Sequence, residues 1–179
     1  VTHDHRRTEF DDFVVARSPA LQRAAFLLVG DVSLAQDLVQ EALTKTYVAW
    51  PRLHRAANAE AYTRRVITTT AIGWFRRKGW NNERTVETLP EHRDHRVGAH
   101  DDAVVQHAVL WSALQDLPPR QRAAIVLRYY EDLTEAQTAD AMGCAVGTVK
   151  SQVAAGLTKL RARLGDSDLL PLDDLVVTS

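Results

Sequence analysis

The chain has 179 residues, enough for one medium domain or two small ones, each with a modest hydrophobic core. Its single cysteine, Cys144, excludes an intramolecular disulfide and a cysteine-rich zinc site and fits a reducing compartment, and no apolar run approaches the roughly 20 residues that span a bilayer. The formal net charge of -1 hides a local asymmetry, because the bases cluster on two stretches and the acids lie elsewhere, so overall charge does not exclude a polyanionic partner.

The first residues, VTHDHRRTEFDDF, lack the apolar core of a signal peptide, and a soluble, cytoplasmic protein is expected. Phe10, Phe13 and Val14 begin a helical face. Ser18 before Pro19 predicts a cap and first-turn pair opening a second helix through Leu21, Ala24, Ala25 and Leu28, which closes at Gly30. Ser33 with Gln36 has capping-box spacing and predicts the start of the next helix, which Pro51 stops. Its apolar side carries Leu34, Leu38, Ala42 and Tyr47. Its other side carries Asp37, Gln40, Glu41, Thr44 and Lys45, and composition alone makes that side a solvated face.

Asn58 is the expected cap of a helix in which Arg64, Arg65, Arg76, Arg77 and Lys78 oppose the single acid Glu60. Tyr62, Trp74, Phe75 and Trp80 interleave with these charges, which suits stacking on unpaired bases beside phosphate contacts and equally suits core packing. From Asn81 to Asp102 apolar periodicity disappears and acids dominate. A stretch of about 20 residues is too long to be structureless inside one compact domain, so it reads as a flexible linker between two. His92, His95, His100 and His107 lie in or near it, where no fixed scaffold holds ligands in place, and no metal site is expected.

Val104, Val105, Ala108, Val109, Leu114 and Leu117 restore helical spacing, and Pro118-Pro119 opens a further helix through Arg120, Ala124, Leu127 and Tyr130. Thr134 with Gln137 then forms a capping box, Ala136, Ala139 and Met142 share one face, and Gly143 suits a left-handed helix exit. After a turn to Gly147, Val149, Val153, Leu157, Leu160 and Leu164 mark a helix carrying Lys150, Lys159, Arg161 and Arg163 and no acid. Such a helix after a tight turn fits a major groove, with bases on phosphates and Thr148, Ser151 and Gln152 toward base edges; an ordinary helical hairpin has the same pattern. The tail after Gly165 is acidic and fits either a free end or a docking strip. No Gly-rich phosphate loop, nucleophile elbow or His/Glu metal spacing is present, so neither catalytic residues nor a cofactor is expected.

The segments DLVQEAL (37–43), AYTRRV (61–66), LPPRQRAAIVLRYYEDLT (117–134) and GTVKSQ (147–152), in this order, resemble the extracytoplasmic-function sigma factors of bacterial RNA polymerase. The resemblance implies an all-α fold of two small helical domains: a sigma region 2-like domain (1–80), the linker (81–102), a sigma region 4-like helix-turn-helix domain (103–165) and an acidic tail (166–179). It implies that Asp37, Leu38, Gln40 and Glu41 dock on the clamp helices of the polymerase's largest subunit. It implies further that the segment from Arg52 to Arg77 captures the minus-ten element, with the loop from Arg55 to Ala59 receiving a flipped base. Arg55, Asn58, Arg64, Arg65, Thr68, Thr69, Arg76 and Arg77 would hold the single strand. Thr148, Lys150, Ser151, Gln152 and Lys159 would read the minus-thirty-five element, their domain resting on the flap of the second-largest subunit. A protein that is monomeric when free and restrained by an anti-sigma factor is the matching expectation.

Three departures stand out. Thr69 and Gly73 replace an Asn and an Asp usual in the family's basic helix, Ala145 replaces a capping Ser, and Gln152, Ala154, Ala155 and Gly156 replace bulkier or basic residues. The alternative from the residues alone is an autonomous helix-turn-helix regulator. It would need a two-fold dimer to span two half-sites, and no clear dimer seam is visible.

Overall fold

The computed structural model of the chain describes residues 2–53, 56–77 and 101–165. These form helices α1 (Thr2–Val29), α2 (Val32–Ala49), α3 (Ala56–Arg77), α4 (Asp101–Gln115), α5 (Pro119–Ile125), α6 (Glu135–Met142) and α7 (Val146–Leu164), with no strand among the described residues. Arg55, Lys78, Trp80, the stretch 81–100 and the tail 166–179 lie outside the described residues, as does the side chain of His107.

The first domain differs from expectation at three helix starts. Pro19 does not open a second helix; it sits inside α1. Proline leaves the carbonyl four residues back, that of Val15, without its amide partner. Val15 is 78% exposed and Pro19 faces solvent, so water replaces that partner, while Phe13, Leu21, Ala25 and Leu28 keep one buried face across the site. Helix α1 ends at Gly30 in the left-handed region, φ 77°. Asp31 then caps α2, its Oδ1 accepting from the Leu34 amide at 2.8 Å, so Ser33 lies inside the helix and not at its cap. Asn58 likewise falls inside α3, which starts at Ala56. Where α2 crosses α3, the buried hydroxyls of Thr46 and Thr63 meet at 2.8 Å, and each also lies against its own helix's carbonyl, Ala42 O or Ala59 O. Two protons serve three contacts, so one hydroxyl donates across and the other back.

The second domain is built on α5, whose residues Arg122 to Ile125 are all buried. After it the chain widens into a π-turn, Val126–Tyr130, in which the Glu131 amide donates to the Val126 carbonyl at 3.0 Å. The Thr134 and Gln137 side chains and amides satisfy each other at 3.2 and 2.9 Å, and Gly143 closes α6 at φ 63°, both as expected. In α4 the buried face is Leu110, Ala113 and Leu114, continued by Leu117 just beyond the helix; Val109, expected inside, is 46% exposed.

The two domains share a continuous apolar core. Phe26 stacks on Trp111 with centroids 4.6 Å apart and planes 14° apart. Polar groups reinforce the contact: Gln115 Nε2 donates to Leu27 O at 3.0 Å, Arg122 Nη1 to Leu28 O at 2.7 Å, and Arg23 Nε to Tyr130 Oη at 3.2 Å. The acceptors Leu27 and Leu28 belong to the last turn of α1, where carbonyls lack amide partners and cations are favoured.

Candidate nucleic-acid interface

The basic residues of α3 divide between two faces. Arg65, Arg76 and Arg77 are exposed, as is Asn58 in the first turns. Arg64 is not free: its Nη2 meets Glu60 Oε1 at 3.0 Å, and its Nε donates to Glu131 Oε2 of the second domain at 2.8 Å. Glu60 also receives Arg17 at 3.2 Å. Four residues on, Thr68 is fully buried and its Oγ1 has no hydrogen-bond partner, so its assignment as a strand contact is corrected: in this arrangement no strand reaches it. Thr69 is exposed, with its hydroxyl donating to Arg65 O at 2.7 Å. The Cβ that Gly143 lacks would stand 3.8 Å from Thr69 Cγ2 and 4.0 Å from Arg65 Nη2, so the helix-turn-helix turn lies against α3.

On α2, Asp37 and Gln40 are exposed and Glu41 pairs with Lys45 at 2.6 Å. Leu38 is 0% exposed and belongs to the core, which corrects its place in the docking set. A residue cannot hold α2 on the core and dock on a partner with the same side chain. Between α2 and α3, an open hollow of about 220 Å³ is lined by Leu34, Asp37, Trp74 and Arg77. Tyr62, Trp74 and Phe75 are all half-buried, and Phe75 lies under the Arg122 guanidinium at 5.2 Å, so one interleaved aromatic serves the domain contact.

Helix α7 follows Ala145, which is extended and supplies no side-chain cap. Lys150, Ser151 and Lys159 are exposed, while Thr148 and Gln152 are half-buried. The Ser151 hydroxyl donates to Thr148 O at 2.9 Å and keeps its lone pairs outward, and Lys150 reaches Glu135 on α6 at 3.5 Å. Val149, Gly156 and Leu160 form the buried side of α7, leaving a basic, acid-free face outside.

Residues 13–81 match the family model described as Sigma-70 region 2, and residues 107–160 match Sigma-70, region 4. Over 164 residues the chain is 40% identical to the RNA polymerase sigma-E factor of Streptomyces coelicolor, an alignment spanning 90% of this chain and 89% of that protein. It is 31% identical over 159 residues to the ECF RNA polymerase sigma factor SigE of Mycolicibacterium smegmatis, covering 85% of this chain and 60% of that one. The chain belongs to the extracytoplasmic-function sigma factors. The sigma factor also shares its fold with the sigma factor RpoE of Bartonella quintana, solved with the anti-sigma factor NepR: TM-score 0.67, 23% identity, 89% of this chain and 98% of that one.

Membership fixes the activity: the protein binds core RNA polymerase and directs promoter recognition in transcription initiation. An autonomous regulator acting without polymerase gives way to it. The pairing of Arg64 with Glu131, 67 positions apart, was invisible to spacing, since neither the basic stretch nor the ion pair has a local signature across that distance. At Gly73, the sigma factor's α3 carries a helix-weakening residue with open space around it: an added Cβ would meet only Arg77 Nη1, at 3.8 Å. Gly73→Ala therefore raises the unfolding free energy by about 1 kcal/mol, measured by urea denaturation.

Proposed function

We propose that the surfaces of this sigma factor divide as follows. The α2 face with Asp37, Gln40 and Glu41 docks on the clamp helices of the polymerase's largest subunit. The α3 cations Arg64, Arg65, Arg76 and Arg77, with Asn58, Thr69 and Arg55, hold the opened minus-ten strand. Helix α7, through Thr148, Lys150, Ser151, Gln152 and Lys159, reads the minus-thirty-five element while its domain rests on the flap of the second-largest subunit. The observation that carries this reading is the exposed cations of two helices, Arg65, Arg76 and Arg77 on α3 and Lys150, Lys159, Arg161 and Arg163 on α7, while α2 presents Asp37, Gln40 and the Glu41–Lys45 pair. Strand capture requires a cationic track beside stacking surfaces, and duplex reading requires a basic helix behind a tight turn.

The domain limits that go with this reading are 1–80, 103–165 and a linker of 81–102. The protein is a cytoplasmic, non-catalytic subunit, and among the described residues no helix is long and apolar enough to cross a membrane. It is monomeric when free, and the anti-sigma partner of its Bartonella neighbour supports a regulator of the same kind here.

Run-off transcription tests the reading. Purified core polymerase with this protein initiates specifically on members of a promoter library, and core alone does not. Asp37→Lys weakens binding to core by roughly 30-fold, the loss expected for a central docking residue, without changing the free protein's stability by more than about 0.5 kcal/mol. Undiminished core binding by that variant moves the docking face off α2.

A further inference from the structure

Gly147, Lys150, Ser151, Ala154, Thr158 and Arg161 are all exposed and recur at three- and four-residue spacing, so they form the outward stripe of α7. The hydroxyl protons of that stripe are already used. Ser151 Oγ donates to Thr148 O and Thr158 Oγ1 donates to Ala154 O, each at 2.9 Å, so toward a groove both hydroxyls are acceptors only. Lys150 is the one cation between Val146 and Thr158, and its ammonium reaches Glu135 of α6 at 3.5 Å. Arg161 stands roughly 15 Å along the axis from Ser151, far from the N-terminal turns with which such a helix meets base edges. At Ala154 the stripe carries only a methyl group, and at Gly147 a Cβ would meet nothing within 4 Å, so no bulk holds this side of α7 off a groove floor.

We propose that α7 selects its promoter element through thymine methyl groups and adenine amino groups, with Ala154 against the methyl and Ser151 accepting from the amine, and that it reads no guanine. The inference rests on the assignment of α7 to the minus-thirty-five element made above. In the major groove guanine shows only acceptors, N7 and O6, and needs a donor, which arginine or lysine commonly supplies. The middle of the stripe has no such donor to give: its hydroxyl protons are bound inside the helix and its single ammonium faces a carboxylate. An A·T pair shows the complementary groups, an N6 amine that donates and a C5 methyl that packs against apolar carbon. A C·G pair also donates, from N4, but brings guanine's unmet acceptors and no methyl. Gln152, half-buried beside the stripe, adds an amide suited to adenine N6 and N7. The cations Lys159, Arg161 and Arg163 then supply affinity for phosphates without regard to sequence.

The full-length protein with core polymerase tests this on promoters selected from a library randomised across the minus-thirty-five region. A·T pairs are expected throughout the selected positions, with no required G·C pair. Each thymine of the selected element is then replaced singly by deoxyuridine, which removes the C5 methyl and nothing else, and holoenzyme binding is compared by competition. At least one replacement is expected to weaken binding about fourfold, the worth of one buried methyl at about 0.8 kcal/mol. In Ala154→Gly the same thymine-to-deoxyuridine ratio is expected to fall to near one. Both duplexes meet the same protein, so any loss of helix stability cancels in that ratio. A required G·C pair, or equal binding of every deoxyuridine promoter by wild type, overturns the proposal, and so does a fourfold ratio that survives in Ala154→Gly. Selection of no sequence in that region overturns it through its premise, the place of α7 on the minus-thirty-five element, while initiation that still depends on the protein leaves its sigma activity standing.

Discussion

Arg122→Met lowers the unfolding free energy by about 3–5 kcal/mol, the largest single loss expected in the chain. Arg122 is 1% exposed and its guanidinium serves carbonyls from three directions. Nη1 donates to Leu28 O at 2.7 Å and to Gln115 Oε1 at 2.9 Å; Nη2 donates to Gln115 O at 2.7 Å and to Leu117 O at 3.1 Å. Methionine has similar length and is apolar, so it keeps much of the packing against Phe75 while removing the charged donor from four acceptors. The lost donor is what costs, since hydrogen bonds to a charged donor contribute about 1.5–3 kcal/mol each and are not additive. Arg122→Lys separates charge from geometry: an ammonium keeps the cation but not the planar fork, and a loss of roughly half the methionine value is expected. Urea denaturation followed by linear extrapolation reads both, and a methionine variant within about 1 kcal/mol of wild type rules out this role.

The same residue ties the two domains together. Arg122 joins the α4–α5 corner to the last turn of α1, so its loss loosens the domain contact as well as the second domain itself. Chains lacking it are expected to lose the Arg64–Glu131 approach as a secondary effect. Glu131→Gln, which leaves Arg122 in place, separates the two.

Local chemistry made the helix-turn-helix legible. The Thr134–Gln137 box and the left-handed Gly143 are set by residues within a few positions of each other, and both stand as read. The same reasoning misplaced the starts of α1's second half, α2 and α3, because burial outweighs a capping preference of about 1 kcal/mol. A continuous apolar face carries α1 through Pro19, and Asp31 offers a carboxylate two residues before Ser33. Helix α5 opens at Pro119 as its Pro-Pro start predicts, but its surroundings were not legible: Arg122 to Leu127 are all buried, and such a run has no amphipathic stripe that tells inside from outside. For the site, residue types singled out helices but did not show which of their side chains are exposed. Leu38 follows exposed Asp37 and Thr68 precedes exposed Thr69, yet both are inside the protein, and only long-range packing decides that.

Gly156→Val is expected to destabilise the protein by roughly 2–3 kcal/mol, while Gly156→Ala stays within about 1 kcal/mol of wild type. Gly156 is buried where α7 crosses α5. An added Cβ would stand 3.0 Å from Ile125 Cγ1, 3.3 Å from Ile125 Cδ1 and 3.6 Å from Gln121 Cβ. Alanine gains helix propensity of about 1 kcal/mol and spends it on a crowded contact that a small shift of the Ile125 side chain relieves. Valine adds two further carbons against a side chain with no exposed surface into which it can retreat, and its branched Cβ has one favoured rotamer in a helix. Relief must then come from moving α7 away from α5, which displaces Lys150 and Ser151 relative to the rest of the domain. Ile125→Ala in the valine background restores volume at the crossing and is expected to recover at least about 1 kcal/mol relative to additivity of the single changes. Strict additivity shows that the two residues do not share the contact, and the close approach of α5 and α7 then has some other cause than the missing side chain at Gly156.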